Sequence, residues 1–293
     1  MLTREELREL RRIEIVTNRL VNDQLAGSYH SVFKGRGMSF DEVRLYQPGD
    51  EIRFIDWNVS ARTGELHVKR FVEERELTVM ILVDMSGSLD FGTRKEPKRK
   101  VAAKVAALLA FSAIKNNDRI GLVLFTDRIE RFVPPKKGRK HVLRVVSEII
   151  GFEPDPAHRG TNVGVALEYL LRIAKRRAVS FLITDYTADG YDKQLRIAAS
   201  RHDLVPILLT DALEEELPNL GMVHLEDPET GRVRIAPTHL GWFRRRFRKQ
   251  AKIDFTAVED RFKKMKMDLI TLRTGDSYSK PLLNYFRLRS RRY

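Results

Sequence analysis

Cysteine is absent from the 293 residues, which excludes disulfides and thiolate metal sites and leaves the redox compartment open. No apolar run approaches the ~20 residues that a bilayer crossing needs, so no transmembrane segment is expected. The opening "MLTREELRELRRIEIV" is charged and amphipathic and lacks the apolar core of a secretory signal. A cytoplasmic location is the expectation. There is no Gly-x-x-x-x-Gly-Lys phosphate loop, and the seven histidines are scattered without metal-ligand or dyad spacing. Acidic residues are scarce towards the end: from Gly241 to Tyr293, 16 Lys and Arg stand against 5 Asp and Glu, a balance of +11 within the formal +14 of the chain. A basic region of this kind points to an anionic partner such as nucleic acid, a lipid surface or an acidic protein, or else to a solvated helix face.

What is present suffices for a sizeable core, with 42% hydrophobic residues in a length that suits one large domain or a medium domain with a smaller partner. Residues 2 to 22 read as a helix, with Leu7, Leu10, Ile13 and Leu20 broadly on one side. Turn signals at Gly35, Gly37, Pro48-Gly49-Asp50 and Thr63-Gly64 then separate short β-prone runs such as "EVRLY" and "EIRFIDW". This predicts a small, mostly β module, which together with the N-terminal helix makes up residues 1–75. In "YQPGDEIRFIDW" a Pro-Gly turn joins paired strands with Phe54 and Trp57 packed beneath, and Asp50, Arg53 and Asp56 form either an internal charge network or a docking surface.

From residue 76 the rhythm changes. The apolar strands "LTVMILVD", "RIGLVLF", "AVSFLITD", "DLVPILL" and "MDLITLRT" alternate with helical stretches, and "IERFVP" adds a short strand after the turn at Asp127-Arg128. Continuous apolar strands separated by helices predict an α/β fold, a doubly wound, mainly parallel sheet covered on both faces. Residues 221–236 break the pattern with "DPETG", the turn of an inserted hairpin. A long helix over about 239–266 follows, with Phe243, Phe247, Phe255, Val258, Phe262 and Met265 mostly on one face and the arginines of "RRRFRK" mostly on the wet one.

The chemistry concentrates in "VDMSGSLD". Ligands of open parallel sheets sit at the carboxyl ends of strands, and Asp84, Ser86 and Ser88 lie just past such an end. Thr161 in "RGTNVG" precedes a helix, and Asp185 in "FLITDY" ends another apolar strand. Two carboxylates and three hydroxyls suit a hard cation, Mg²⁺ best, with Mn²⁺ or Ca²⁺ as substitutes. Individually, serine or threonine before a helix is an ordinary N-cap and aspartate at a strand end an ordinary turn former. All five at the mouths of neighbouring strands are harder to explain that way.

D-x-S-x-S, then Thr in a Gly-Thr-Asn loop, then Asp after an apolar strand resembles the metal-ion-dependent adhesion site of von Willebrand factor A domains. The stretch "GMSFDEVRLYQPGDEIRFIDWNVSARTGELHVKRFVEERE", the "DPETG" hairpin and the closing "LITLRTGDSYSKPLLNYFRLR" resemble the prokaryotic domain-of-unknown-function 58 family. The resemblance implies direct metal ligation by Ser86, Ser88 and Thr161, with Asp84 and Asp185 acting largely through waters. It also implies a carboxylate from a partner or client protein to complete the coordination, and a role as adaptor or partner of a MoxR-type AAA+ ATPase. Many members of that family begin with transmembrane helices, which this sequence lacks. An enzyme remains the competing class, but the usual second Asp of an aspartyl phosphatase is Ser86 here, and "DMSGS" is not the Gly-x-Ser-x-Gly elbow of an acyl hydrolase. Nucleic-acid binding through "WFRRRFRK" is the third class, and steep salt dependence would mark it.

Overall fold

Five consecutive apolar residues, Val79 to Val83, followed at once by an aspartate, make one of the two middle strands of the main sheet. The computed structural model describes residues 3–21, 38–73, 76–92 and 96–291. It separates into two compact units, Phe33–Leu77 and the remainder of the chain.

In the larger unit, α1 (Arg4–Leu20) comes first, followed after the smaller unit by β3 (Thr78–Asp84), α3 (Lys98–Lys115), β4 (Arg119–Phe125) and β5 (Ile129–Lys136). Next come α4 (Arg139–Ile150), α5 (Val163–Ile173), β6 (Val179–Thr184), α6 (Asp192–Arg201), β7 (Asp203–Thr210) and the single turn α7 (Ala212–Glu215). The chain closes with the hairpin β8 (Met222–Glu226) and β9 (Val233–Pro237), the long α8 (Gly241–Lys264), β10 (Ile270–Arg273) and α9 (Ser279–Ser290).

The six-stranded sheet has the order β10-β7-β6-β3-β4-β5. All its pairings are parallel except β4 with β5. The sheet is mainly parallel with helices on both sides, as the alternation of apolar strands and helices predicts. Every residue of β3 after Thr78 is buried, because strand parity sends side chains to both faces and both are covered. On one face Met80, Leu82, Val123 and Phe125 pack with Leu167 and Leu170 of α5, Leu195 of α6 and Phe262 of α8. The apolar stripe of α8 thus faces the core: Phe262 is fully buried, and Phe255, Val258 and Met265 pack around it. On α1, Ile13 and Thr17 are buried, and Glu14 receives hydrogen bonds from Arg139 of α4, which places the N-terminal helix in the larger unit. β5 lies at one edge of the sheet and carries Pro134-Pro135 just before its last residue; the four-residue β10 forms the other.

In the smaller unit β1 (Met38–Leu45) pairs antiparallel with β2 (His67–Glu73). Between them the sequence expectation needs correcting. "EIRFIDW" is not a strand: residues Ile52–Phe54 make one 3-10 turn and α2 spans Trp57–Thr63. The cause is Asp56, whose carboxylate accepts the backbone N–H groups of Asn58 and Val59 and so caps the new helix. Gly64, with φ +80°, ends it. Trp57 is therefore not packed beneath a turn but 64% exposed at the first helical position. Nor do the three charged residues form one network. Asp50 takes a two-pronged hydrogen bond from Arg44, Asp56 lies 3.5 Å from the Lys69 ammonium, and Arg53 pairs with Glu51. Gly35 and Gly37 lie outside the described residues.

Candidate metal centre

From β3 the strand order runs outward through β4 and β5 on one side and through β6, β7 and β10 on the other, so the rim beside β3 is the switch point where open α/β sheets bind ligands. The register aligns Val83 with Ile183, which sets Asp84 beside Thr184 and brings Asp185 just beyond. Beyond β3 the Met85 N–H donates to the Phe125 carbonyl, 2.7 Å away, extending the ladder, and residues 87–90 then coil into a 3-10 turn.

Asp84 is fully buried. One of its oxygens accepts the Ser86 N–H at 2.8 Å and the other the Thr184 hydroxyl at 2.6 Å. The hydroxyls of Ser86 and Ser88 meet at 3.0 Å. Ser88 in turn hydrogen-bonds the Asp185 carboxylate, so four of the five candidate residues form one connected cluster. Thr161 reaches it differently. Its loop is held by two backbone bonds, Asn162 N–H to Thr126 O and Gly87 N–H to Arg159 O, each 2.9 Å. Asn162 caps α5 through the Val165 N–H. The Thr161 hydroxyl donates to Glu229 at 2.7 Å, and that carboxylate stands close enough to Asp185 for their charges to interact.

Three members of the site escaped the sequence reading. Thr184 could have been found from strand parity, since it follows directly from the register of β6 on β3. Glu229 was hidden in "DPETG", which reads only as a turn. Lys98 sits in the charged stretch "RKEPKRK", yet its side chain is completely buried, with Nζ 3.0 Å from Asp185 and 2.6 Å from Glu214. No local pattern distinguishes it from the other charged residues of that stretch.

The electrostatics divide the two aspartates. Burial pushes the Asp185 carboxyl up, but the Lys98 ammonium and hydrogen bonds from Ser88, Lys98 and Thr187 outweigh it and hold the group below the usual carboxylate range. Burial also depresses Lys98, and its two carboxylate neighbours more than restore it. Asp84 has no ion pair among the described residues. Burial first, and the neighbouring Asp185 charge second, push its carboxyl up to about 7. Burial likewise raises Glu229, with Asp185 and Asp227 adding to the effect.

A buried carboxylate lacking a counter-charge, two touching hydroxyls and a second carboxylate beside them form a donor set that fits a hard divalent cation. Among the described residues no group of three or more His, Cys, Asp and Glu gathers in metal-binding geometry. Any ion held here would therefore rely on hydroxyl oxygens. Tyr186, directly after Asp185, has φ +55°. That rare backbone is secured by its buried ring, whose hydroxyl donates to Leu182 O and which packs edge-on against Phe262.

Comparison with known proteins adds ancestry. The uncharacterized proteins Rv1480 of Mycobacterium tuberculosis and Mb1516 of Mycobacterium bovis are each 35% identical over 226 residues, covering 77% of this chain and 71% of theirs. YeaD of Bacillus subtilis, also uncharacterized, is 26% identical over 196 residues, covering 66% of this chain and 45% of its own. Among solved structures, the conserved hypothetical protein BatB from Bacteroides thetaiotaomicron aligns with a TM-score of 0.47 at 15% identity, over 73% of this chain and 99% of that one. The family model described as protein of unknown function DUF58 matches residues 42–256. With that match spanning most of its length, the chain belongs to the DUF58 family.

Proposed function

We propose that this protein is a non-enzymatic, metal-dependent protein-binding module, with a von Willebrand factor A-like domain that holds Mg²⁺ at a metal-ion-dependent adhesion site. The observation that carries the reading is Asp84: a fully buried carboxylate at the switch point of the sheet, hydrogen-bonded but with no ion pair among the described residues. Burying an uncompensated charge is costly, and a bound divalent cation removes that cost. When bound, Mg²⁺ supplies an electrophile that keeps exchangeable waters, one of which a partner's Asp or Glu can replace.

The chain's own part is positional. Ser86, Ser88 and Thr161 supply neutral oxygens, which leave the ion electron-poor. Asp84 and Asp185 supply the charge, with Lys98 fixing the orientation of Asp185. As partner we propose a MoxR-type AAA+ ATPase, or a client protein presented to it, in complex assembly or maturation. That assignment rests on the family resemblance alone. Among the described residues no helix is long and apolar enough to cross a membrane.

Calorimetric titration with Mg²⁺ tests the site. The wild type should bind and Asp84→Ala should not, with the sheet intact in both. Equal affinity in the two would refute the metal centre. Capture of the ATPase that survives EDTA would refute the mechanism. A second reading, nucleic-acid binding, draws on the exposed Arg245 and Arg246 of α8 beside Trp242, which is 54% exposed. The interleaved Phe243 and Phe247 are partly buried, which weakens it as a stacking platform.

A further inference from the structure

The hairpin β8–β9 carries its tip onto the candidate metal centre. A hairpin crossing a protein surface usually packs its strands and leaves its tip in water. Here the outward-facing Met222, Val233 and Ile235 are 62%, 55% and 62% exposed and Ala236 is buried, yet Pro228 and Glu229 at the tip are half-buried as Val223 and Leu225 of the strand are. The tip is seated on the candidate metal centre at two independent points. Glu229 accepts the Thr161 hydroxyl at 2.7 Å. The Pro228 carbonyl oxygen lies so close to Gly87, in the middle of "DMSGS", that a Cβ there would come within 2.1 Å of it. Asp227 sets the turn that makes this approach, its carboxylate accepting the N–H groups of Glu229 and Thr230 at 3.0 and 3.3 Å and the Thr230 hydroxyl at 2.7 Å.

We infer that Glu229 is the site's own carboxylate ligand, presented in cis by the hairpin where an acidic residue of a partner would otherwise bind. This rests on the metal-binding reading above. The inference adds a guard to it: a partner's carboxylate gains the ion by displacing Glu229. Binding is then a competition between an internal and an external carboxylate. An internal ligand has the advantage of high effective concentration, so free carboxylates in solution do not occupy the site, and only a partner with additional contacts can open it.

Mn²⁺ serves as the probe, read by water proton relaxation, which reports both affinity and the number of exchangeable waters on the ion. The proteins are the wild type, Glu229→Gln, Glu229→Ala and, as a control for the site itself, Asp84→Ala. Loss of even an outer-shell partner costs about ten- to a hundredfold in metal affinity, so both Glu229 variants should bind Mn²⁺ at least that much more weakly and with higher relaxivity per bound ion. Added acetate should restore affinity and lower relaxivity in Glu229→Ala while leaving the wild type unaffected. Wild-type affinity and relaxivity in both Glu229 variants, with Asp84→Ala still defective, would overturn the inference and leave the metal centre standing. If the wild type itself fails to bind Mn²⁺, the metal centre falls and the inference with it.

Discussion

Replacing Asp84 by Asn should stabilise the protein when no metal is available, and by an amount that depends on pH. In the folded chain burial and Asp185 push the Asp84 carboxyl up to about 7, against an ordinary value of 3.8. Between those values the folded state keeps a proton that the unfolded state gives up, so stability is lost as pH rises from about 4 to about 7 and stays constant above that. At about 1.4 kcal/mol per pH unit the full cost above pH 7 is about 4 kcal/mol. Asn carries no charge and escapes that cost, but it fits the donors Ser86 N–H and Thr184 hydroxyl less well, a loss of about 1–2 kcal/mol. The net expectation in EDTA is near equality at about pH 5 and an advantage for Asp84→Asn of roughly 2–3 kcal/mol at about pH 8. Urea denaturation of both proteins at the two pH values measures it. Adding Mg²⁺ at the higher pH should raise the wild-type midpoint and leave the variant where it was, since only a binding-competent native state gains from ligand. A stability difference that stays flat with pH would refute the uncompensated charge, and with it the physical reason for a cation.

Other perturbations probe the surroundings of the site. Lys98→Met removes the ammonium from a buried pair and leaves Asp185 without it, which should cost about 3–5 kcal/mol in urea unfolding; a loss below about 1 kcal/mol would mean that Asp185 does not depend on it. Gly87→Ala places a methyl group against the Pro228 carbonyl, so limited trypsin digestion should cut faster after Arg232 in the loosened hairpin, while an unchanged rate would show that Gly87 does not seat the tip. Arg245→Glu with Arg246→Glu should change stability by no more than about 0.5 kcal/mol, because both side chains are exposed. Arg244 and Arg248 are unsuitable for that test, since the first donates to the Thr238 carbonyl and the second pairs with Glu216.

The sheet was legible because its strands are fully apolar and its helices periodic. "RIGLVLF" becomes β4 without a residue of error, and α8 turns its aromatic stripe to the core as its spacing demands. The site was legible where backbone order dictates it, as for Asp84 and Ser86, two residues apart at the end of a strand. What failed to show was whatever depends on long-range meeting. Lys98 and Asp185 are 87 positions apart and Thr161 and Glu229 are 68 apart, and neither pair leaves a local trace. In the smaller unit the error was one of competing signals. The β-prone Ile52, Phe54 and Ile55 suggested a strand, while the capping carboxylate of Asp56 started a helix one residue later.

The two borders of the main sheet limit how it can engage anything else. β5 contains Pro134 and Pro135, which lack N–H groups, and β10 offers only four residues. An extended peptide seeking to add itself as another strand finds an incomplete row of donors on one border and a short one on the other. The same shortage hinders copies of the protein from zipping together laterally and growing into fibrils. Borrowed backbone pairing is thus handicapped at both borders of this sheet.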